Sequence, residues 1–213
     1  NLENKYMIVL GIHNTGINSS ACLIIDGKIK HAMLEERITR KKHDKSFPHK
    51  TIVKILELSN LIIDDIDYFA IGWNPAINIA DKFRAGFSEW ASYAGYRFST
   101  NPNNILPLLQ DRNFLNTDQI FFKKNNETVN IKYISHHIAH AANAYYSSNF
   151  EEALILTCDG YGEKATTAWY EGSGKNINQI GEILFPHSIG MLFSTITEYL
   201  GFRANLDEWK VMG

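Results

Sequence analysis

Apolar and polar positions fall in blocks along this chain. Tyr6 to Ile12 is an apolar run ending in Gly11-Ile12, and Ala21 to Ile25 is a second. A polar turn, Asn14-Thr15-Gly16-Ile17-Asn18-Ser19-Ser20, lies between them. The pattern predicts two strands joined by that turn. Asp26-Gly27 predicts a tight hairpin into a third strand, Lys28 to Leu34. Pro48 fits the first turn of a helix, and Ile52, Val53, Ile55 and Leu56 recur at helical spacing to about Ser59. Asp67 to Trp73 predicts a fourth strand.

Residues 76 to 116 are dense in aromatics: Phe83, Phe87, Trp90, Tyr93, Tyr96 and Phe98. Their spacing suits one or two helices, either an insertion with its own small core or a cap facing a substrate or partner. Ile120 to Ile134 reads as a hairpin with a polar Lys123 to Glu127 turn, and Asn130 to Ile134 is its strand. Ser135 is the expected N-cap of a helix from His136 to Ser148. The opening pattern then returns. Ala153 to Cys158 is a strand, Asp159 to Glu163 a turn, and Ala165 to Tyr170 a strand. Glu171 to Gly174 is a second turn, Ile177 to Phe185 a third strand, and Gly190 to Leu200 a helix.

A unit of strand, polar turn, strand, turn and strand thus begins at Tyr6 and again at Ala153. Two such units suit a two-lobed α/β nucleotide-binding architecture. Each first turn, with Ser19 and Ser20 in one and Gly160 and Gly162 in the other, would present backbone N–H groups to phosphates. The expected division is a first lobe over residues 1–150, with the insertion near 76–116, and an incomplete second lobe over 151–213. The expectation is a fragment of a longer protein.

Composition narrows the class. The 213 residues are 45% apolar and 21% charged, which excludes a disordered, collagen-like or coiled-coil chain. The net charge of −2 gives no electrostatic ground for a nucleic-acid partner. Cys22 and Cys158 cannot build a disulfide framework, and each sits in an apolar run, so both are expected as buried reduced thiols. No apolar run approaches the ~18 residues of a membrane span. The first residues do not carry a secretory signal pattern, so a cytoplasmic location is expected.

The strongest chemical signal is Ser135-His136-His137-Ile138-Ala139-His140. His136 and His140 are four apart, on one helical face, where two neutral imidazoles can hold a transition metal. His137 faces elsewhere and reads as a core or supporting residue. The glutamate that a His-Glu-x-x-His zinc protease needs beside its first histidine is replaced by His137. Asp159 closes an apolar strand with glycines behind it, a position for holding a metal or lying beside phosphates. Glu171-Gly172-Ser173-Gly174-Lys175-Asn176 is not a P-loop, because its first glycine position is Trp169 and Asn176 stands where Ser or Thr is required. Glu35 to His43 is a charged run, read as a solvated face whose basic half could grip a phosphorylated substrate.

In order along the chain stand Val9-Leu10-Gly11-Ile12, Ser20-Ala21 to Asp26-Gly27, Glu35-Glu36-Arg37 with Arg40, Lys42-His43 and Phe47-Pro48. They continue with His136-His137-x-x-His140-Ala141-Ala142, Asp159-Gly160-x-Gly162-Glu163, Ser188-Ile189-Gly190, Leu200-Gly201-Phe202 and Asp207-Glu208-x-Lys210-Val211-Met212-Gly213. Together they resemble the N-terminal part of the O-carbamoyltransferases that modify hydroxyl groups of antibiotics and Nod factors. That family resembles the tRNA threonylcarbamoyl-transfer protein in its actin-like, Hsp70-like (ribonuclease H-like) two-lobed ATPase fold.

The resemblance implies that ATP, with Mg, and carbamoyl phosphate give carbamoyl-adenylate, whose carbamoyl group passes to a hydroxyl of a small-molecule acceptor. In the family, adenylate formation belongs to a separate C-terminal domain resembling YrdC. It also implies Fe(II), or another divalent metal, on His136, His140 and Asp159, with a further aspartate beyond Gly213. The fragment alone is therefore expected to be inactive. Arg37, Arg40, Lys42, His43 and Lys210 would join Ser19, Ser20, Gly160 and Gly162 in binding the nucleotide and carbamoyl phosphate.

One pair departs from the family pattern. Ile17-Asn18 stands where many members have His-Asp, whose histidine is a candidate base for the acceptor hydroxyl. His13 is the candidate catalytic substitute. Two other readings stay open: a nucleotide-binding regulatory protein of the same fold, favoured by Ile17, and the tRNA-modifying threonylcarbamoyl transferase. The acceptor is not readable from the sequence, and a homodimer is among the oligomeric states left open.

Overall fold

A computed structural model describes residues 6–13, 18–73 and 131–213. The predicted insertion near 76–116 and the first arm of the 120–134 hairpin lie outside the described residues. The described residues divide into two compact units, one of residues up to Trp73 with 131–134, the other Ser135–Gly213.

The first unit is built on a five-stranded sheet. Strands β1 (Ile8–His13), β2 (Ser20–Ile25) and β3 (Lys28–Leu34) form an antiparallel meander. The β2–β3 turn is Asp26-Gly27, with φ of 48° and 73°, the two left-handed positions that such a hairpin needs. Strand β4 (Tyr68–Ile71) pairs parallel with β1, and β5 (Ile131–Tyr133) parallel with β4. The order β3-β2-β1-β4-β5 is that of a ribonuclease H-like, actin-like lobe. Leu10, Ile12, Leu23, Phe69 and Ile71 form its core with Ile52 and Ile55 of helix α2 (His49–Ser59).

Helix α2 has no side-chain cap of its own at Pro48. Glu35, in the short helix α1 (Glu35–Thr39), takes that role. Its carboxylate accepts from the Lys50 and Thr51 N–H groups at 3.1 and 2.8 Å. Glu35 is therefore buried, not part of the solvated face expected of the charged run. Arg37, Arg40 and Lys42 are exposed as expected.

The second unit opens with helix α3 (His136–Tyr146), followed by the antiparallel meander β6 (Glu152–Cys158), β7 (Ala165–Ser173) and β8 (Asn176–Leu184). This repeats the plan of β1 to β3. Helices α4 (Ile189–Tyr199) and α5 (Glu208–Met212) follow. The division between units falls after Ile134 rather than at residue 150. The reason is packing: Ala141 and Tyr145 of α3 are buried with Ile155, Ala168 and Tyr170 of β6 and β7.

Two further expectations are corrected. Glu171, Gly172 and Ser173 continue β7, and the turn is Gly174-Lys175. Cross-strand pairing with Asn178, Ile177 and Asn176 outweighs their turn propensity. Cys158 is exposed and Cys22 half-buried. The outward positions of β6 alternate with the buried Ile155 and Thr157, and Cys158 falls on the outward set.

Candidate metal centre

Helix α3 begins where β5 ends, with Ser135 at the N-cap position. Its hydroxyl makes no capping hydrogen bond to the helix. The buried Glu163, two residues before β7, acts instead. Both of its carboxylate oxygens lie 3.0 Å from the His136 N–H, which donates to them, and Ser135 Oγ lies 3.5 Å away. A carboxylate at a helix N-terminus satisfies an orphan donor and complements the helix dipole. Glu163 thus fixes where the first histidine starts. Sequence reading quoted Glu163 in a motif without assigning it this role.

The i, i+4 spacing places His136 and His140 on one face of α3. Their Nε2 atoms are 3.0 Å apart. Asp159, at the end of β6, brings Oδ2 to 2.7 Å from His136 Nε2 and 3.2 Å from His140 Nε2. The three residues are the one metal-competent cluster of this kind among the described residues. The His136 ring is 15% exposed, Asp159 39% and His140 49%, so the cluster is anchored on one side and open on the other.

This triangle fits a small divalent cation. Ligand atoms at about 2.1 Å in adjacent octahedral positions lie about 3.0 Å apart. Two imidazoles and one carboxylate on one face, with other positions open, is a donor set suited to iron(II). A cation at this point would take the lone pairs of both Nε2 atoms together with the Asp159 carboxylate.

Burial acts to raise the Asp159 pKa. Hydrogen bonds from His136, His140 and the Gly160 N–H outweigh it and hold the carboxyl well below the usual carboxylate range. The ligand is therefore ionised at any working pH.

His137 turns the other way and is buried. Its Nε2 donates to the Ala165 carbonyl at 2.9 Å, and Nδ1 meets Thr157 Oγ1 at 2.8 Å. It ties the ligand-bearing helix to β6 and β7. Burial lowers its pKa, so it is held neutral. Gly162 makes room for this ring: a Cβ there would stand 2.8 Å from His137 Cδ2 and 3.1 Å from the Ala165 oxygen. The Gly162 N–H donates to Ala165 O at 2.7 Å, so it does not offer the phosphate-binding amide expected of it.

The loop carrying Asp159 is held from the far side by α4. Ser188 caps that helix by accepting from the Met191 N–H, and its hydroxyl lies 2.7 Å from the Gly160 carbonyl, to which it donates. Gly190 allows the approach, since a Cβ there would stand 2.6 Å from Gly160 N. Lys210, on α5, pairs with Asp207 at 3.0 Å.

The remaining candidates lie in the first unit. His13 ends β1 opposite Ser20, the first residue of β2. Ser19 is buried, and both its N–H and its hydroxyl donate to the Asp44 carbonyl. It therefore ties two loops together, with neither donor left for a phosphate. His43 Nδ1 lies 3.2 Å from Asn18 Oδ1. Among the described residues, no helix is long and apolar enough to cross a membrane.

Residues 8–213 match the family described as Carbamoyltransferase N-terminus. The chain belongs to that family. Among curated relatives of this carbamoyltransferase-family chain, Nodulation protein NolNO of Sinorhizobium fredii is 31% identical over 205 residues, covering 96% of this chain and 28% of the relative. The protein sll1178 of Synechocystis is 34% identical over 211 residues, covering 96% of this chain and 34% of the relative. The chain thus spans about a third of the length of the curated relatives it matches. YeaZ from Pseudomonas aeruginosa is similar in structure at a TM-score of 0.43 and 13% identity, over 84% of this chain and 68% of that one.

Proposed function

We propose that the whole protein moves a carbamoyl group from carbamoyl phosphate, by way of carbamoyl-adenylate made with ATP and Mg, to a hydroxyl of a small-molecule acceptor. The observation that carries this reading is the convergence of His136, His140 and Asp159 within a chain of the carbamoyltransferase family. These three residues would hold a divalent metal, iron(II) in the closest reading of the donor set. When bound, it supplies positive charge beside the carbamoyl and phosphate oxygens, where negative charge develops.

The chain's own residues do the rest. The exposed cations Arg37, Arg40 and Lys42 would draw the anionic donor to the first unit. Ser20 and Lys210 would contribute further contacts to nucleotide or carbamoyl phosphate, whereas the Gly160 N–H, expected to do so, is taken up by the Asp159 carboxylate at 2.6 Å. Glu163 and Ser188 hold α3 and the Asp159 loop in place. His13 is one candidate to take the proton of the acceptor hydroxyl.

The test uses the full-length protein with ATP and carbamoyl phosphate, followed by pyrophosphate release. Release that depends on carbamoyl phosphate is expected. Its absence from folded, metal-loaded protein would overturn the reading.

A further inference from the structure

The departure at Ile17-Asn18 removes the histidine that the resemblance would place in the first turn, and the structure sets another histidine against the same turn. His43 Nδ1 lies 3.2 Å from Asn18 Oδ1. An amide oxygen accepts and cannot donate, so Nδ1 carries the proton. In the neutral ring the lone pair is then on Nε2. Among the described residues, the Asn18 amide is the side-chain partner that the His43 ring has.

This ring is held more firmly than an exposed loop requires. The His43 N–H donates to Glu36 Oε2 at 2.9 Å. Its φ is +56°, a left-handed conformation that a non-glycine residue keeps where its surroundings enforce it. The next residue, Asp44, is buried, and its carbonyl accepts both the Ser19 N–H at 2.9 Å and the Ser19 hydroxyl at 3.2 Å. Two adjacent residues of one loop are thus bonded to two adjacent residues of the other. Both loops meet beyond the carboxyl end of β1, which runs parallel to β4, and that end is where α/β sheets bind ligands. In the charged run that leads to His43, Arg37, Arg40, Lys41 and Lys42 are exposed, while Glu36 is engaged on the His43 backbone.

We propose that Asn18 is a positioning residue that fixes His43 with Nδ1 protonated, so that His43 Nε2 is the base that takes the proton of the acceptor hydroxyl. This rests on the carbamoyl-adenylate reading above. In the step, the hydroxyl O–H bond breaks and its proton passes to Nε2. The hydroxyl oxygen bonds to the carbamoyl carbon. The bond from that carbon to the adenylate phosphate oxygen breaks, and AMP leaves with the electron pair.

The first test is spectroscopic and independent of activity. In full-length protein labelled with ¹⁵N-histidine, neutral His43 is expected as the Nδ1–H tautomer. Asn18→Leu is expected to move it to the Nε2–H form, and Asn18→Asp, which keeps the acceptor, to restore Nδ1–H. A wild-type Nε2–H tautomer, or no change in Asn18→Leu, overturns the proposal. The second test measures AMP formed per pyrophosphate released, with water as the acceptor. His43→Gln is expected to lower that ratio about 100-fold, within the range of general-base catalysis. A wild-type ratio in His43→Gln overturns the base role. A wild-type protein that releases no pyrophosphate overturns the reading on which the base role rests, while the tautomer still decides whether Asn18 positions His43.

Discussion

At the scale of single residues, the candidate centre depends on side chains that each have one task. His140 is the most open of the three converging groups and is not part of the core. His140→Ala is therefore expected to fold normally and to weaken Fe(II) or Zn(II) binding at least 100-fold, read by titration calorimetry. Loss of a supporting residue alone costs a metal site 10- to 100-fold, so loss of a ligand must cost at least as much. Unchanged affinity would remove His140 from the ligand set.

His137 makes a different prediction. Burial depresses its folded-state pKa below the ordinary 6.5, so the unfolded chain binds this proton more readily than the folded one. Its contribution to stability is full above pH 6.5 and is lost as pH falls through 6.5 toward the folded value. In metal-free protein, His137→Gln is expected to lose less stability than the wild type between pH 7 and pH 5. Urea denaturation at the two pH values checks this, and an equal loss would rule out His137 as the group that titrates.

At the scale of elements, each unit uses the same device. A helix lacking its own side-chain cap has its first N–H groups held by a buried glutamate from elsewhere in the chain: Glu35 for α2 and Glu163 for α3. Glu163→Gln leaves size and shape nearly unchanged but replaces a charged acceptor by a neutral one. It is expected to cost about 1–2 kcal/mol of stability, the range for lost helix caps and charged hydrogen bonds. Metal affinity should fall with it by about 10-fold, because the His136 backbone is what Glu163 holds. Equal urea midpoints in variant and wild type would show that α3 does not need this anchor.

Sequence pattern located α2 and α3 to within two residues, because their apolar spacing and the breakers around them are local. It did not see the distant glutamates. Nothing near Glu35 or Glu163 in sequence distinguishes a buried acceptor from a solvated charge, since the N–H groups they meet belong to segments brought close only by folding. Gly174-Lys175 teaches the same lesson: Glu171 to Ser173 look like turn residues and are strand because β8 pairs with them.

At the scale of the whole molecule, the same plan occurs twice, in β1 to β3 and in β6 to β8. The chain covers about a third of its curated relatives, so the complete reaction is a question for the full-length protein. There, the proposed reaction predicts that carbamoyl-phosphate-dependent pyrophosphate release persists when acceptor is withheld, because its first chemical step would need no hydroxyl. An absolute requirement for acceptor in that step would argue against a carbamoyl-adenylate formed ahead of transfer.

The sequence by itself determined the order of the strands and of helices α2, α3 and α4, but not the short helices α1 and α5, together with the hairpin at Asp26-Gly27 and the pairing of His136 with His140 on one helical face. These follow from local periodicity and backbone preference. Tertiary structure alone decided that α3 belongs with the second meander and that Gly162 serves the His137 ring, and it supplied the distances at which Asp159, expected there from the resemblance, meets both histidines. It also decided that Asn18 meets His43. Each of these is a contact between residues far apart in the chain, and such contacts depend on how strands pair and helices pack, which no local pattern encodes.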